Sequence, residues 1–345
     1  MEIFGHPEFR GHEQVVLCTD QASGLRAIIA IHSTRLGPAS GGVRMWAYRS
    51  EDEAMTDALR LSRAMSYKNA LAGLPLGGGK SVIIGDSHTE KDPALLIAFA
   101  AHVQRLGGTY WCAEDVGIGL ADVEVLGEHC DYVFGLPGHV GDPAPHTAAG
   151  VFYGMKAATA HAFGDWIDGL RVAVQGVGSV GYRLCRLLHK EGAELVVADV
   201  DEEALARVVD EFGAVVVDPE AIYDADVAIF APCALGGVLD ADTIPRLRAR
   251  VVAGSANNQL ATYEDGIRLH EAGIVYAPDF LVNAGGMLSV GGRIYGEDDP
   301  ALIPPRIEGL YDQTAELLSK AQEAGLAPSV MALELAKERI AAGPG

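Results

Sequence analysis

Two lysines, a pair of acids and one glycine turn are the residues whose types and spacing could do chemistry. Lys68 falls in a stripe with Ala54, Ala58, Leu61, Met65 and Ala72, at the i, i+4, i+7 spacing of one helical face. A lysine so placed ordinarily snorkels its ammonium to water. Here a second lysine follows in Gly77-Gly78-Gly79-Lys80-Ser81, where three glycines are expected to leave backbone N–H groups open to a ligand. Two cations on one wall can bind a carboxylate, and the charge of Lys68 would lower the pKa of Lys80 toward neutrality, as a general base requires. Ala113-Glu114-Asp115-Val116-Gly117 adds carboxylates in a loop context. Either Glu114 or Asp115 could accept a proton, and the pattern does not choose between them. The glycine-lysine run is not a P-loop, because Leu74 stands where that motif needs glycine and the segment leads into a strand.

The glycine turn is Gly176-Val177-Gly178-Ser179-Val180-Gly181, directly after the apolar run Arg171 to Val174. Gly176 permits a tight turn, Gly178 a close approach of backbone to a pyrophosphate, and Gly181 close packing of helix on sheet. The helix N-terminus beginning near Ser179 and Val180 supplies partial positive charge to phosphates. Asp199 ends the next strand, where a carboxylate accepts hydrogen bonds from ribose hydroxyls and repels a 2′-phosphate, so NAD is expected over NADP. Asp201, past the strand end, is expected to begin the following helix. His32, His139 and His146 show no metal-ligand spacing and read as loop or core residues, so no metal is expected.

These groups need rigid elements to hold them. Leu25 to His32 and Ser81 to Ile84 read as strands, Glu51 to Ala72 and Pro93 to Leu106 as helices. His139-Val140-Gly141-Asp142-Pro143-Ala144-Pro145 is rich in structure breakers and predicts a domain junction, followed by a helix over Ala148 to Phe163. From Arg171 onward strands alternate with helices. Further strand runs are Leu195 to Ala198, Ala214 to Val217, Val227 to Phe230, Arg250 to Ala253 and Ile274 to Tyr276, which predicts a parallel, doubly wound α/β sheet. Pro304 to Ile340 reads as helical.

The 345 residues suffice for two domains, expected at 1–146 and 147–326, with a helix over 327–345 packing back on the first. The acids number 47 against 26 basic residues, a net charge of −21 that repels nucleic acids and anionic membranes. No apolar run is long enough to cross a bilayer and Met1 to Arg10 does not read as a secretory signal, so a cytoplasmic location is expected. The five cysteines lie far apart and read as reduced and mostly core.

Several stretches, taken together, resemble the glutamate/leucine/phenylalanine/valine dehydrogenases, the leucine type above all. They are Arg35 to Arg44 (RLGPASGGVR), Met65 to Asn69, Gly77 to Lys80, Ala113 to Gly117, Ala231 to Gly237, Gly254 to Leu260 and Asn283 to Gly286. The resemblance spans nearly the whole chain in order. It implies an N-terminal α/β substrate and oligomerisation domain, a C-terminal Rossmann-like NAD domain, a cleft that closes about the junction near Asp142, and a homo-oligomer. It also implies reversible oxidative deamination of a hydrophobic L-amino acid. By the same resemblance Lys68 holds the substrate α-carboxylate, Lys80 is the base that activates water, and Asp115 rather than Glu114 carries protons to and from the amino group. Thr147, Ala234 and Asn258 fall to the cofactor; Gly41, Met65, Ala113, Asn283 and Met287 fall to the substrate.

Glutamate-specific members carry a lysine at the place of Ser40 and a serine at that of Val290. Neither Ser40 nor Val290 offers a cation, so a buried γ-carboxylate would go unpaired at a cost of several kcal/mol. Leucine-type members carry Leu at the place of Ser40, so Ser40 implies a wider pocket. A phenylalanine or broad-range enzyme is the alternative, and a non-catalytic NAD-binding regulator is the alternative of another class. The regulator would have no need of Lys68, Lys80 and Asp115 together. A hydroxyacid dehydrogenase would need a histidine–acid pair and an arginine, and no such set stands out.

Overall fold

In the computed structural model of the chain, residues 3–136, 142–164, 167–297 and 299–344 are described. They divide into two units: residues 1–141, 290–299 and 336–345 form the first, residues 142–289 and 300–335 the second. This differs from the division expected at 146/147. The second unit starts earlier, the first takes back a short segment at 290–299, and the returning C-terminal segment begins at 336 rather than 327. Of the breaker-rich junction, His139, Val140 and Gly141 lie outside the described residues.

The first unit is a five-stranded sheet in the order β1-β2-β4-β3-β5. Its strands are β1 (Gln14–Asp20), β2 (Leu25–Ser33), β3 (Ala39–Trp46), β4 (Gly77–Ile84) and β5 (Tyr110–Ala113). β4 runs antiparallel to β2 and parallel to β3. Helix α1 (Glu51–Leu71) starts at Ser50, whose hydroxyl accepts the Glu53 N–H at 3.1 Å, with Glu51, Asp52 and Glu53 complementing the helix dipole. Helices α2 (Pro93–Gln104) and α3 (Leu120–His129) complete the layers, burying Phe99, Val103, Val123 and Leu126 with Ile29, Ile31 and Tyr110 in one core.

Two expectations are corrected here. Gly77, Gly78 and Gly79 do not form an open wall; they are the first half of β4, paired with both β2 and β3. The Gly77 N–H is already taken by the Gly37 and Pro38 carbonyls, and what the missing side chains provide is room. A Cβ on Gly78 would collide with Ser66 of α1, and one on Gly79 with the Tyr110 ring. The buried face of α1 is therefore small where it crosses β4. It runs through Ala54, Ala58, Ser62, Ser66 and Asn69, while Leu61, Met65 and Lys68 lie half-buried beside it.

The second unit is a six-stranded, wholly parallel sheet in the order β11-β10-β9-β6-β7-β8. In chain order it contains helix α4 (Ala144–Phe163), β6 (Arg171–Gln175), α5 (Ser179–Lys190), β7 (Glu194–Ala198), α6 (Glu202–Phe212), β8 (Val215–Val216), β9 (Ile229–Pro232), β10 (Val251–Val252), α7 (Tyr263–Glu271) and β11 (Val275–Tyr276). β6 is central, and the strand order reverses beside it, the point where such sheets bind ligands at their carboxyl ends. The expected helical tail is three helices, Ile303–Glu308, Leu310–Ala324 and Pro328–Ala342.

Candidate active site

The chemistry of the first unit centres on Lys80, in mid-strand on β4 opposite Ala30 of β2. Its residue surface is 5% exposed. The Lys80 Nζ lies 3.1 Å from Oδ2 of Asp115, in the loop after β5. The same Oδ2 accepts a hydrogen bond from Arg44 Nε at 2.8 Å, and Arg44 Nη1 reaches Oδ2 of Asp57 at 2.9 Å. Tyr48 donates its hydroxyl to that Asp57 oxygen at 2.6 Å. Asp115 is held in a turn by reciprocal backbone hydrogen bonds with Ile118. Gly42 makes the approach possible, since a Cβ there would lie 2.6 Å from the Glu114 carbonyl oxygen and 3.2 Å from Lys80 Nζ.

Burial pushes the Lys80 pKa down and the Arg44 charge adds to this, while Asp115 and then Asp57 oppose it; the net shift is downward. For Asp115 burial acts upward, but Lys80 and Arg44 outweigh it and hold the carboxyl below its usual range. The pair therefore combines an acid kept ionised with a lysine eased toward its neutral form. Arg44 is a cation that depresses Lys80 and that the sequence pattern, which offered Lys68 for this part, did not point to. Arg44 lies within one of the stretches that carry the family resemblance, yet with no role assigned; Asp57 and Tyr48 went unnoticed. No local signal pairs Arg44 with an acid so distant in sequence.

Lys68 is half-buried on α1, and its neighbour Asn69 is fully buried. Asn69 Nδ2 donates to the Ser40 hydroxyl at 2.9 Å and to the Gly77 carbonyl at 2.6 Å. Ser40 is fully buried, so its hydroxyl is already engaged by the protein. The Met65 side chain lies beside Gly41, where a Cβ would meet Met65 Cγ at 3.4 Å, and Ala113 is 8% exposed at the end of β5. Val290 belongs to the first unit and Met287 to the second, both half-buried.

In the second unit the glycine turn sits at the carboxyl end of β6. Gly176 has φ +93°, a left-handed conformation suited to glycine, and a Cβ there would lie 2.7 Å from the Ala234 methyl. Gly178 precedes α5 with no side-chain cap, which leaves the first N–H groups of that helix available to an anion. Ser179 and Val180 open the helix, and a Cβ on Gly181 would collide with the Gly176 carbonyl. Asp199 ties the turn together: Oδ2 accepts the Val177 N–H at 2.6 Å and Oδ1 accepts those of Val200 and Asp201. A carboxylate has about four acceptor sites, so capacity for a ribose hydroxyl remains. Asp201 caps α6 through the N–H groups of Glu203 and Ala204.

Thr147 stands in the first turn of α4, its hydroxyl donating to the Pro143 carbonyl at 3.1 Å. Asn258 is exposed at φ +53°, and its N–H donates to Asp279 Oδ2 at 2.6 Å. Tyr276 donates to the other Asp279 oxygen at 2.8 Å. Asn283 Nδ2 donates to Asn257 Oδ1 at 2.9 Å. A bare glycine turn, an uncapped helix N-terminus and an acid at the next strand end together fit a dinucleotide.

The chain matches the family model described as Glu/Leu/Phe/Val dehydrogenase, dimerisation domain, over residues 12–132. It matches the Glutamate/Leucine/Phenylalanine/Valine dehydrogenase model over residues 140–213 and 198–292. It is 52% identical to a leucine dehydrogenase of Geobacillus stearothermophilus, over 99% of this chain and 94% of that protein. A valine dehydrogenase of Streptomyces virginiae is 46% identical over 97% of this chain and 95% of its own length. The crystal structure of an L-tryptophan dehydrogenase from Nostoc punctiforme superposes with a TM-score of 0.86, at 42% identity and 96% coverage of each chain.

Proposed function

The chain belongs to the glutamate/leucine/phenylalanine/valine dehydrogenase family, and on that premise we propose that it catalyses the NAD-dependent, reversible oxidative deamination of hydrophobic L-amino acids. Leucine and other branched-chain side chains are the foremost substrates; the products are the 2-oxo acid, ammonia and NADH. The observation that carries this reading is the buried Lys80–Asp115 pair with Arg44 on the same carboxylate oxygen. A silent NAD-binding regulator has no use for such a pair.

Lys68 holds the α-carboxylate. Lys80, as the neutral amine, takes a proton from water as that oxygen bonds to Cα of the imino acid. Asp115 carries the proton that lets the nitrogen leave as ammonia, and it returns one in the reverse direction. NAD, when bound, supplies the acceptor for the Cα hydride. Gly176, Gly178, Gly181 and the start of α5 would hold its pyrophosphate, Asp199 its ribose, and Thr147, Ala234 and Asn258 its nicotinamide end. The Asp199 carboxylate favours NAD over NADP by repelling a 2′-phosphate.

Around the substrate side chain, Ser40, Gly41, Met65, Ala113, Met287 and Val290 offer no cation, which disfavours glutamate; Asn283 lies to the substrate side. Ser40 is small, which favours a second reading in which larger side chains such as phenylalanine are accepted. The N-terminal match to a dimerisation domain supports a homo-oligomer. No helix among the described residues is long and apolar enough to cross a membrane, and the five cysteines are free, which supports a cytoplasmic location.

The test is NADH formation across the twenty L-amino acids. We expect the highest kcat/KM on leucine; a preference for phenylalanine of about tenfold or more would reassign the substrate. Lys80→Ala should lower kcat by about 10²–10⁴-fold, the range of a general base. Full activity in that variant would defeat the mechanism.

A further inference from the structure

Lys80 and Asp115 do not meet as an isolated pair. Arg44 on β3 stands between two carboxylates, Asp115 on the substrate side and Asp57 of α1 behind, at 2.8 and 2.9 Å. Tyr48 closes the far end on Asp57 at 2.6 Å. The chain thus runs Lys80, Asp115, Arg44, Asp57, Tyr48, with alternating charge through its first four members. Arg44 and Asp57 are each about one-quarter exposed, at 24% and 26% of their side-chain surface. The guanidinium is thereby fixed at both edges, a planar fork that lysine could not reproduce.

We propose that Arg44 is a positioning residue of this active site: gripped from behind by Asp57, which Tyr48 holds in turn, it fixes one oxygen of Asp115 against Lys80, so that the other oxygen exchanges the substrate proton. This rests on the reading of Lys80 as base and Asp115 as proton carrier. Two geometric facts favour it over a merely structural ion pair. Both cations converge on the same atom, Oδ2 of Asp115, and both of Arg44's partners are carboxylates from different elements.

The arrangement has an electrostatic consequence with opposite signs at its two ends. Arg44 drives Lys80 toward its neutral form, whereas Asp57, like Asp115, favours the charged form. Asp57 therefore tempers Arg44 as well as holding it. Among the other titratable groups on the elements packed around β4, Tyr110 of β5 is kept neutral by burial, and α1 also carries half-buried Lys68.

The test is the pH dependence of kcat/KM for L-leucine in the full-length protein and in three variants. A base that must be neutral gives an ascending limb at its pKa in the free enzyme. The ionisation of the amino acid is common to all variants and cancels in the comparison. Arg44→Met should move the limb to higher pH and cut kcat by about tenfold to a hundredfold. Asp57→Asn keeps a hydrogen-bond acceptor for Arg44 but loses the charge, so it should move the limb to lower pH. Arg44→Lys should leave the limb near its wild-type position yet fail to restore kcat. Limbs that stay in place in Arg44→Met and Asp57→Asn, or that move in the same direction, overturn the proposal. The same ordering should appear without turnover in the titration of the Lys80 Cε signal in ¹³C-lysine-labelled protein, assigned with Lys80→Gln. If the wild type oxidises no amino acid, the proposed function fails, and the NMR titration still decides the role of Arg44.

Discussion

At the scale of single residues, the site depends on an atom that is missing. A Cβ at Gly42 would sit 2.6 Å from the Glu114 carbonyl oxygen and 2.7 Å from Asp115 Cβ, both too close to persist. Gly42→Ala should therefore push the Asp115 loop away from Lys80 while leaving the fold intact. We expect kcat to fall by about tenfold to a hundredfold, with thermal stability lowered by no more than a few degrees, because small displacements of reacting groups are costly. Activity within twofold of wild type would show that the loop yields without consequence. Residue type and spacing singled out Lys68, Lys80 and the two acids Glu114 and Asp115, with Asp115 chosen by the family resemblance, and the turn at Gly176 with Asp199 was legible as a unit because its parts follow one another. Arg44 was not. Its partners come from another loop and another helix, and only the fold makes them neighbours.

At the scale of elements, the glycine-bearing strands were the hardest to read. The first half of β4 lacks the β-branched residues that mark strands and β3 has one, Val43, so Gly77 to Gly79 suggested a loop. Packing decided otherwise, because α1 needs a surface without side chains to come so near the sheet. A histidine contributes to the anchoring of that helix: His32 Nδ1 and the Ser66 hydroxyl are 2.8 Å apart. Burial pushes the His32 pKa down to about 4, with His12 and Arg63 acting in the same direction. The folded protein thus keeps His32 neutral, while the unfolded chain takes up a proton below about pH 6.5. Its contribution is complete above that value and is lost as pH falls toward 4, by about 2 kcal/mol at pH 5. Replacing it with a residue that cannot titrate, in His32→Asn, should make the melting temperature less sensitive to acid between pH 7 and 5. An equal slope in variant and wild type would mean that His32 is not the sensor. In the second unit the alternation of strands and helices was plain, since β6, β7 and β9 are buried apolar runs of the kind parallel sheets require.

At the scale of the whole molecule, two units and a C-terminal segment returning to the first were foreseen, but the return of residues 290–299 was not. Periodicity reports local elements, and nothing local tells residues 290–299 to which core they belong. The terminal segment has a definite task. Arg339 Nη1 donates to the carbonyls of Ala70 and Leu71 at 3.1 and 2.7 Å, closing the end of α1 just past Lys68. Arg339→Ala should cost about 1–3 kcal/mol and raise hydrogen exchange in the last turn of α1. Unchanged exchange there would show that the helix end holds by itself.

That closure bears on how the protein is made. The first unit begins at the N-terminus, yet it is incomplete until the chain has been synthesised as far as Arg339, roughly 200 residues after Gly141. At about 5–20 residues per second, its α1 end waits some 10–40 s on the ribosome while the second unit is translated and can fold. The half that appears first is thus finished last, and during that interval the end of α1 has the backbone bonds of Gly73 and Leu74 but lacks those of Arg339.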